Sequence, residues 1–174
     1  MEFYEVIKKR RSIRKFKNEK IPDEMLERIL ESARLAPTWA NMQGVRFIII
    51  DNPEQLEKIK DAIGQNWTKS APYFITVCIE PRKSGKNKNG LEYFMVDAAI
   101  CMEHIILAAT NEGLGTCWIG YFDEDKIKQI LNIPKKVRVI ALTPIGIPDQ
   151  EPKTQERKKL EEIVFKNNYE QKWK

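Results

Sequence analysis

The chain has 174 residues, which suits one domain burying about 70% of its unfolded surface around a single core. Its formal net charge of +5 comes from 30 basic residues interleaved with 25 acidic ones, so a uniformly cationic surface is excluded and any excess must be local to matter. Cys78, Cys101 and Cys117 are odd in number, far apart and form no C-x-x-C, which argues against a disulfide framework or a zinc site and predicts buried, reduced thiols.

The N-terminus, MEFYEVIKKRR, has no apolar signal region, and no stretch is expected to approach the roughly 18 apolar residues of a membrane span. With reduced cysteines, this predicts a cytoplasmic protein that engages no membrane. VIKKRR closes a short helix. In IPDEMLERILESARLAP the apolar residues Met25, Leu26, Ile29, Leu30 and Ala33 recur at helical spacing, Pro22 suits an early position and Pro37 stops the helix. VRFIIID reads as a buried strand, PEQLEKIKDAIG as a helix starting near Pro53, and APYFITVCIE as a second buried strand.

The polar segment 81–90, PRKSGKNKNG, reads as a mobile loop. After it, LEYFMVDAAICMEHIILAATNEG is apolar on nearly every side and predicts a central buried helix. TCWIG reads as a short strand, DEDKIKQIL as a helix and VRVIALTPIGIP as a strand. The charged tail carries Ile163, Val164, Phe165, Tyr169 and Trp173, apolar content that should pack on something. The irregular alternation of strands and helices gives a single α+β domain over residues 1–174.

The stretch KKRRSIRKF gathers Lys8, Lys9, Arg10, Arg11, Arg14 and Lys15 around one hydroxyl, Ser12. Three readings stand side by side. Cations are favoured at a helix C-terminus by the macrodipole, Lys/Arg clusters neutralise nucleic-acid phosphates, and R-R-S-x-R joins guanidinium forks to a hydroxyl in a manner suited to a compact phosphate pocket. Spacing does not choose among them.

Taken in order, RRSIRKF, APTWANMQGVRFIII, GLGTCWIG and PKTQERKKLEEIV resemble the nitroreductase family of FMN-dependent oxidoreductases, from about residue 3 to residue 165. The resemblance implies a nitroreductase-like α+β fold with a central, mostly antiparallel sheet flanked by helices. It also implies a homodimer with FMN at the subunit interface and residues 160–174 exchanged as a C-terminal arm. NADH or NADPH would reduce the FMN, and a small electron acceptor, such as a nitroaromatic or quinone, would reoxidise it; no nucleic acid is implied.

Residue by residue, the resemblance assigns Arg10, Arg11, Ser12 and Arg14 to FMN, with Arg10 and Ser12 at the phosphate and ribityl end. Arg14 is assigned to the N1/O2 edge of the ring, where a fixed cation favours reduction. Pro37, Thr38, Trp39, Asn41 and Gln43 match a loop that reaches the flavin from the partner subunit, although Gly44-Val45 stand where many relatives have Pro-Trp. Trp118, Ile119 and Gly120 match the segment beside flavin N5 and O4, with an amide near Ile119-Gly120 and open space at Gly120. Arg157 matches a C-terminal phosphate arginine with Lys159 as helper, while Gln155 stands where relatives often carry a second cation. Tyr121 and Phe122 fall at the acceptor pocket.

His104 has no partner at metal-ligand spacing and reads as packing, and no metal is expected. Asp97, near the start of the long helix, reads as a cap or buried acceptor. No catalytic acid or base is nominated, because the flavin carries hydride chemistry. No G-x-G-x-x-G enters a helix, so the nicotinamide would visit and leave in a ping-pong scheme, its phosphates drawn by Arg82, Lys83, Lys86 and Lys88. A specialised flavin enzyme of the same family, dehalogenating or flavin-cleaving, and a non-enzymatic basic binding module remain as alternatives.

Overall fold

The computed structural model describes residues 1–174. Its helices are α1 (Phe3–Lys9), α2 (Asp23–Arg34), α3 (Pro53–Ile63), α4 (Phe94–Asn111), α5 (Glu124–Ile130) and α6 (Leu160–Ile163). The strands are β1 (Val45–Ile50), β2 (Tyr73–Ile79), β3 (Gly115–Thr116) and β4 (Arg138–Gly146). They form one sheet in the order β1-β2-β4-β3, antiparallel at each pairing, with Val45 opposite Ile79 and Tyr73 opposite Ile145.

The central strands β2 and β4 are apolar at consecutive positions because both faces of the sheet are covered. Ile75, Val77 and Ile79, with Val45, Ala141 and Ile145, pack against α2 and α4. Phe74, Cys78, Ile50, Val139 and Leu142 pack on the opposite face with α3, α5, Ile13 and Phe16. Each large side chain buried this way contributes roughly 1.5–3 kcal/mol. β1 departs from the buried strand expected of VRFIIID. It is an edge strand with Arg46 and Ile49 exposed, since no strand lies beyond it.

Local signals set several boundaries. The Asn52 side chain accepts from the Gln55 amide, Pro53 opens α3, and Gly64 closes it at φ +68°, where a side chain would be strained. α4 is long and apolar enough to cross a membrane by length and composition, contrary to the expectation that no stretch approaches that limit. Here it is the core helix: Asp97, Ala98, Cys101, Met102, Ile105 and Ala109 are buried against α2 and the sheet. Met95, Val96 and Glu103 occupy a side that this chain leaves open. All three cysteines are free and buried. Burial, with Asp97 adding to it, pushes the Cys101 thiol up to about 11.

The tail does not pack on its own chain. α6 and the turn that pairs Phe165 with Lys172 leave Leu160, Tyr169 and Trp173 exposed, Tyr169 at 83%.

Glu124 ties α5 to β4. Burial opposes its ionisation, but hydrogen bonds from Arg138, Lys128 and the Val139 amide outweigh that and hold the carboxyl at about 2. A depressed folded-state value stabilises the protein above the ordinary carboxylate range, and that contribution is lost as pH falls towards 2. Glu124→Gln should therefore destabilise the protein at pH 7 by about 1.5–3 kcal/mol. Denaturant titrations at several pH values should show the difference from the unsubstituted protein shrinking between pH 5 and pH 2.

Candidate functional site

The cationic stretch is divided by its backbone. α1 ends at Lys9, and Ser12 then forms a parallel bridge to Thr116, with the Ile13 amide donating to the Thr116 carbonyl at 2.8 Å. Ile13 turns inward at 6% exposure, and Gly115 makes room for it, because a Cβ there would lie 2.7 Å from the Ile13 side chain. With residue 13 fixed in the core, Arg10, Ser12 and Arg14 are left facing a cavity of about 690 Å³.

A second segment reaches the same cavity from the far end of the chain. After β4, Ile147 and Asp149 pair with Lys17 and Lys15, at 3.0 and 2.9 Å, and the Lys15 ammonium meets the Asp149 carboxylate at 2.7 Å. That pairing returns residues 152–157 to α1, where Lys153, Thr154, Gln155 and Arg157 complete the wall with Ile7, Lys8, Glu103 and Leu107. The Arg11 guanidinium fastens the two segments, donating to the Lys8 and Arg10 carbonyls at 2.6 and 2.7 Å and to Thr154 Oγ1 at 2.8 Å.

The electrostatics are one-sided. Lys8, Arg10, Arg11, Arg14, Lys153 and Arg157 surround the cavity and none of them forms an ion pair; the one carboxylate in the wall is Glu103. Uncompensated cations on a concave wall of this size fit the phosphate end of a mononucleotide. The Arg14 guanidinium also lies 5.7 Å from the centre of the Trp67 ring, a cation–π contact that restrains it. Arg10, Ser12 and Glu103 are shared with a smaller recess lined by Thr116, Cys117 and Trp118.

Around that recess, Ile119 is buried and its N–H donates to the Leu142 carbonyl at 2.8 Å, so it is an anchor, and the Gly120 N–H is left without a protein acceptor. A Cβ at Gly120 would meet only the Trp118 indole, at 3.9 Å. Trp118 is 40% and Tyr121 83% exposed, while Phe122 packs into the core beside α3 and α5. Lys159 stands apart from the cavity and caps α6, its amide donating to Glu162 at 2.8 Å.

The segment 37–43 does not line the cavity of its own chain. It is a tight, polar loop in which Ala40, Asn41 and Gln43 hold φ of 43°, 56° and 51°, each costing about 1–3 kcal/mol unless the surroundings enforce it. Within the loop, Thr38 Oγ1 accepts from the Gln43 amide at 3.0 Å. Asp97, 2% exposed, accepts from the Trp39 amide at 2.8 Å and from Ser84 at 2.7 Å, which is the buried-acceptor role expected of it. His104 bonds the Ser32 carbonyl at 2.9 Å and packs between α2 and α4.

Sequence reasoning missed Glu103, Leu107 and Lys153, and took Lys8 only as one member of the cationic stretch. Glu103 is one of two isolated carboxylates on an apolar helix, and its position forms no motif. Lys153 belongs to PKTQER, where one cation among several marks no particular role.

Solved structures of nitroreductase family proteins share this antiparallel α+β body. The chain belongs to the nitroreductase family, whose model matches residues 7–81 and 64–147. It is similar to a nitroreductase family protein of Clostridium novyi NT, with a TM-score of 0.82 and 40% identity, covering 99% of this chain and 97% of that one. An FMN-dependent nitroreductase of Clostridium difficile R20291 is 30% identical with a TM-score of 0.82, covering 94% and 98%. The FMN reductase [NAD(P)H] of Bacillus subtilis is 32% identical over 155 residues, 79% of this chain and 62% of that one.

Gly115→Ala tests the pin beneath the cationic segment. Forcing a methyl against Ile13 should destabilise the fold by about 1–3 kcal/mol, the usual range for overpacking, read as a lower midpoint in denaturant unfolding.

Proposed function

We propose that this chain is an FMN-dependent oxidoreductase that takes hydride from NADH or NADPH and delivers two electrons to a small acceptor, such as a nitroaromatic or quinone. The observation that carries the reading is the set of unpaired cations brought to one cavity from residues 8–14 and 153–157. A nucleic-acid surface would spread such charge; here it converges on a space of nucleotide size.

Bound FMN would supply a ring that accepts hydride and returns electrons, with Arg10, Ser12 and Arg157 to hold its phosphate and Trp118 and Gly120 beside its ring. Arg14, held against Trp67, would set a positive field at the N1/O2 edge of a bound flavin and so favour its reduction. Gly120 offers an unbonded amide and no side chain to obstruct approach. No dinucleotide-binding motif holds the nicotinamide, so donor and acceptor take turns over the same face. The buried free thiols suit a reducing compartment, and we place the protein in the cytoplasm.

The working unit is a homodimer in this reading. Residues 37–43 stand away from the cavity of their own chain, so a second copy would supply them, while Phe3, Tyr4, Met95 and Val96 and the apolar tail are exposed as a dimer interface requires.

The protein should purify yellow and release FMN, and the bound flavin should bleach anaerobically with NADH or NADPH; a colourless protein that refuses added FMN would sink the reading. Arg10→Ala should weaken FMN binding by about 1.5–3 kcal/mol, the range for a hydrogen bond to a charged group, measured by flavin fluorescence. Arg14→Ala should also lower the flavin's reduction potential, and an unchanged potential would remove Arg14 from the ring edge.

Deleting residues 160–174 should abolish dimer and flavin together, because each large apolar side chain lost from the interface removes roughly 1.5–3 kcal/mol. Size-exclusion chromatography with in-line absorbance is the measurement, and a folded yellow monomer would rule out the exchanged arm.

A further inference from the structure

Segment 81–90, read from its sequence as a mobile loop, has a defined fold together with residues 91–93. Pro81–Lys83 form a single 3-10 turn, Lys86 bridges Glu92 through backbone and side chain, and the Tyr93 amide closes on the Gly85 carbonyl at 2.9 Å. This folded segment is interlocked with residues 37–44. A Cβ at Gly85 would overlap the Trp39 indole, and one at Gly44 would overlap the Lys83 carbonyl, so at both points the two segments touch through the absence of a side chain. The Trp39 and Tyr93 rings lie 4.8 Å apart. Between the segments sits Asp97, on the first turn of α4, bonding the Trp39 amide with one oxygen and the Ser84 hydroxyl with the other.

A buried carboxylate with both oxygens engaged by different segments is a fixed point. The 37–43 loop needs one, because three of its residues hold left-handed conformations that persist only when their surroundings impose them. Gly44 also acquires a reason here. The Lys83 backbone approaches too closely there for any larger residue.

We propose that Asp97, Ser84 and Gly85 form a clip that positions the 37–43 loop for the cofactor, making the cationic 81–93 segment part of the flavin site's support and not a swinging lid. The inference rests on the FMN reading for its consequence and on the contacts above for its geometry. Asp97 is a positioning residue, acting on the cofactor through Trp39 and the loop that follows it.

The test uses full-length Ser84→Ala, Gly85→Ala and Ser84→Thr, with Asn89→Ala as a control in the same segment. Hydrogen exchange of the Trp39–Gln43 amides and the FMN dissociation constant are both measured. Ser84→Ala should raise exchange at residues 39–43 and raise the FMN dissociation constant about 2- to 10-fold, the range for one net hydrogen bond. Gly85→Ala should do so at least as strongly, while Ser84→Thr, which keeps the hydroxyl, and Asn89→Ala should match the unsubstituted protein. Unchanged exchange at 39–43 in both Ser84→Ala and Gly85→Ala overturns the clip. Faster exchange with unchanged FMN affinity overturns its positioning role. If the unsubstituted protein binds no FMN, the functional reading fails on that result and exchange alone decides whether the clip exists.

Discussion

The bridge between Ser12 and Thr116 is the constraint on which the site depends. It is a small feature, one backbone hydrogen bond at 2.8 Å and one isoleucine in the core, but it converts a cationic sequence into a cationic surface with a direction. A segment so rich in Lys and Arg would spread in water to separate its charges. Ile13, seated over Gly115, holds it against the sheet and confines most of that charge to one wall. The Lys15–Asp149 contact and the pairing of 15–17 with 147–149 then bring the C-terminal cations to the same wall, so β4 positions both sides of the cavity.

The sheet is organised around this demand. Two apolar layers pin β2 and β4 from both sides, and α4 lends its buried face to one of them while its far side supplies Glu103 and Leu107 to the cavity. One helix thus serves three regions: its first turn holds Asp97 against two loops, its middle fills the core, and its outer face borders the site. Such shared use explains why the helix is nearly all apolar yet carries a carboxylate at each of two positions with different roles.

Much of this was legible in the sequence where the determinants are local. α3 could be read as a helix starting near Pro53, because its cap, first turn and left-handed stop, Asn52, Pro53 and Gly64, lie within 13 consecutive residues. Asp97 could be read as a buried acceptor, since an acid in the first turn of an apolar helix needs donors. Its donors lie 58 and 13 positions away in the chain, and no periodicity points to them. β1 was misjudged because an edge strand and a central strand share the same β-branched composition, and only pairing separates them. Ile119 and Lys159 illustrate the limit of matching motifs: one has its amide committed to Leu142, the other stands at a helix cap, and neither fact follows from residue type. The folding of 81–90 was hidden because Gly85, ordinarily a sign of looseness, is here a point of closest contact with Trp39.

The unpaired cations of the cavity bear on the protein before any cofactor arrives. Lys8, Arg10, Arg11, Arg14, Lys153 and Arg157 repel one another across the cavity they line, and this repulsion opposes the compact state. Any small multivalent anion that enters relieves it and is linked to folding by mass action. By the same linkage phosphate and sulfate should raise the melting temperature more than chloride at equal ionic strength, and if these cations hold the cofactor's phosphate, the same anions should slow its uptake.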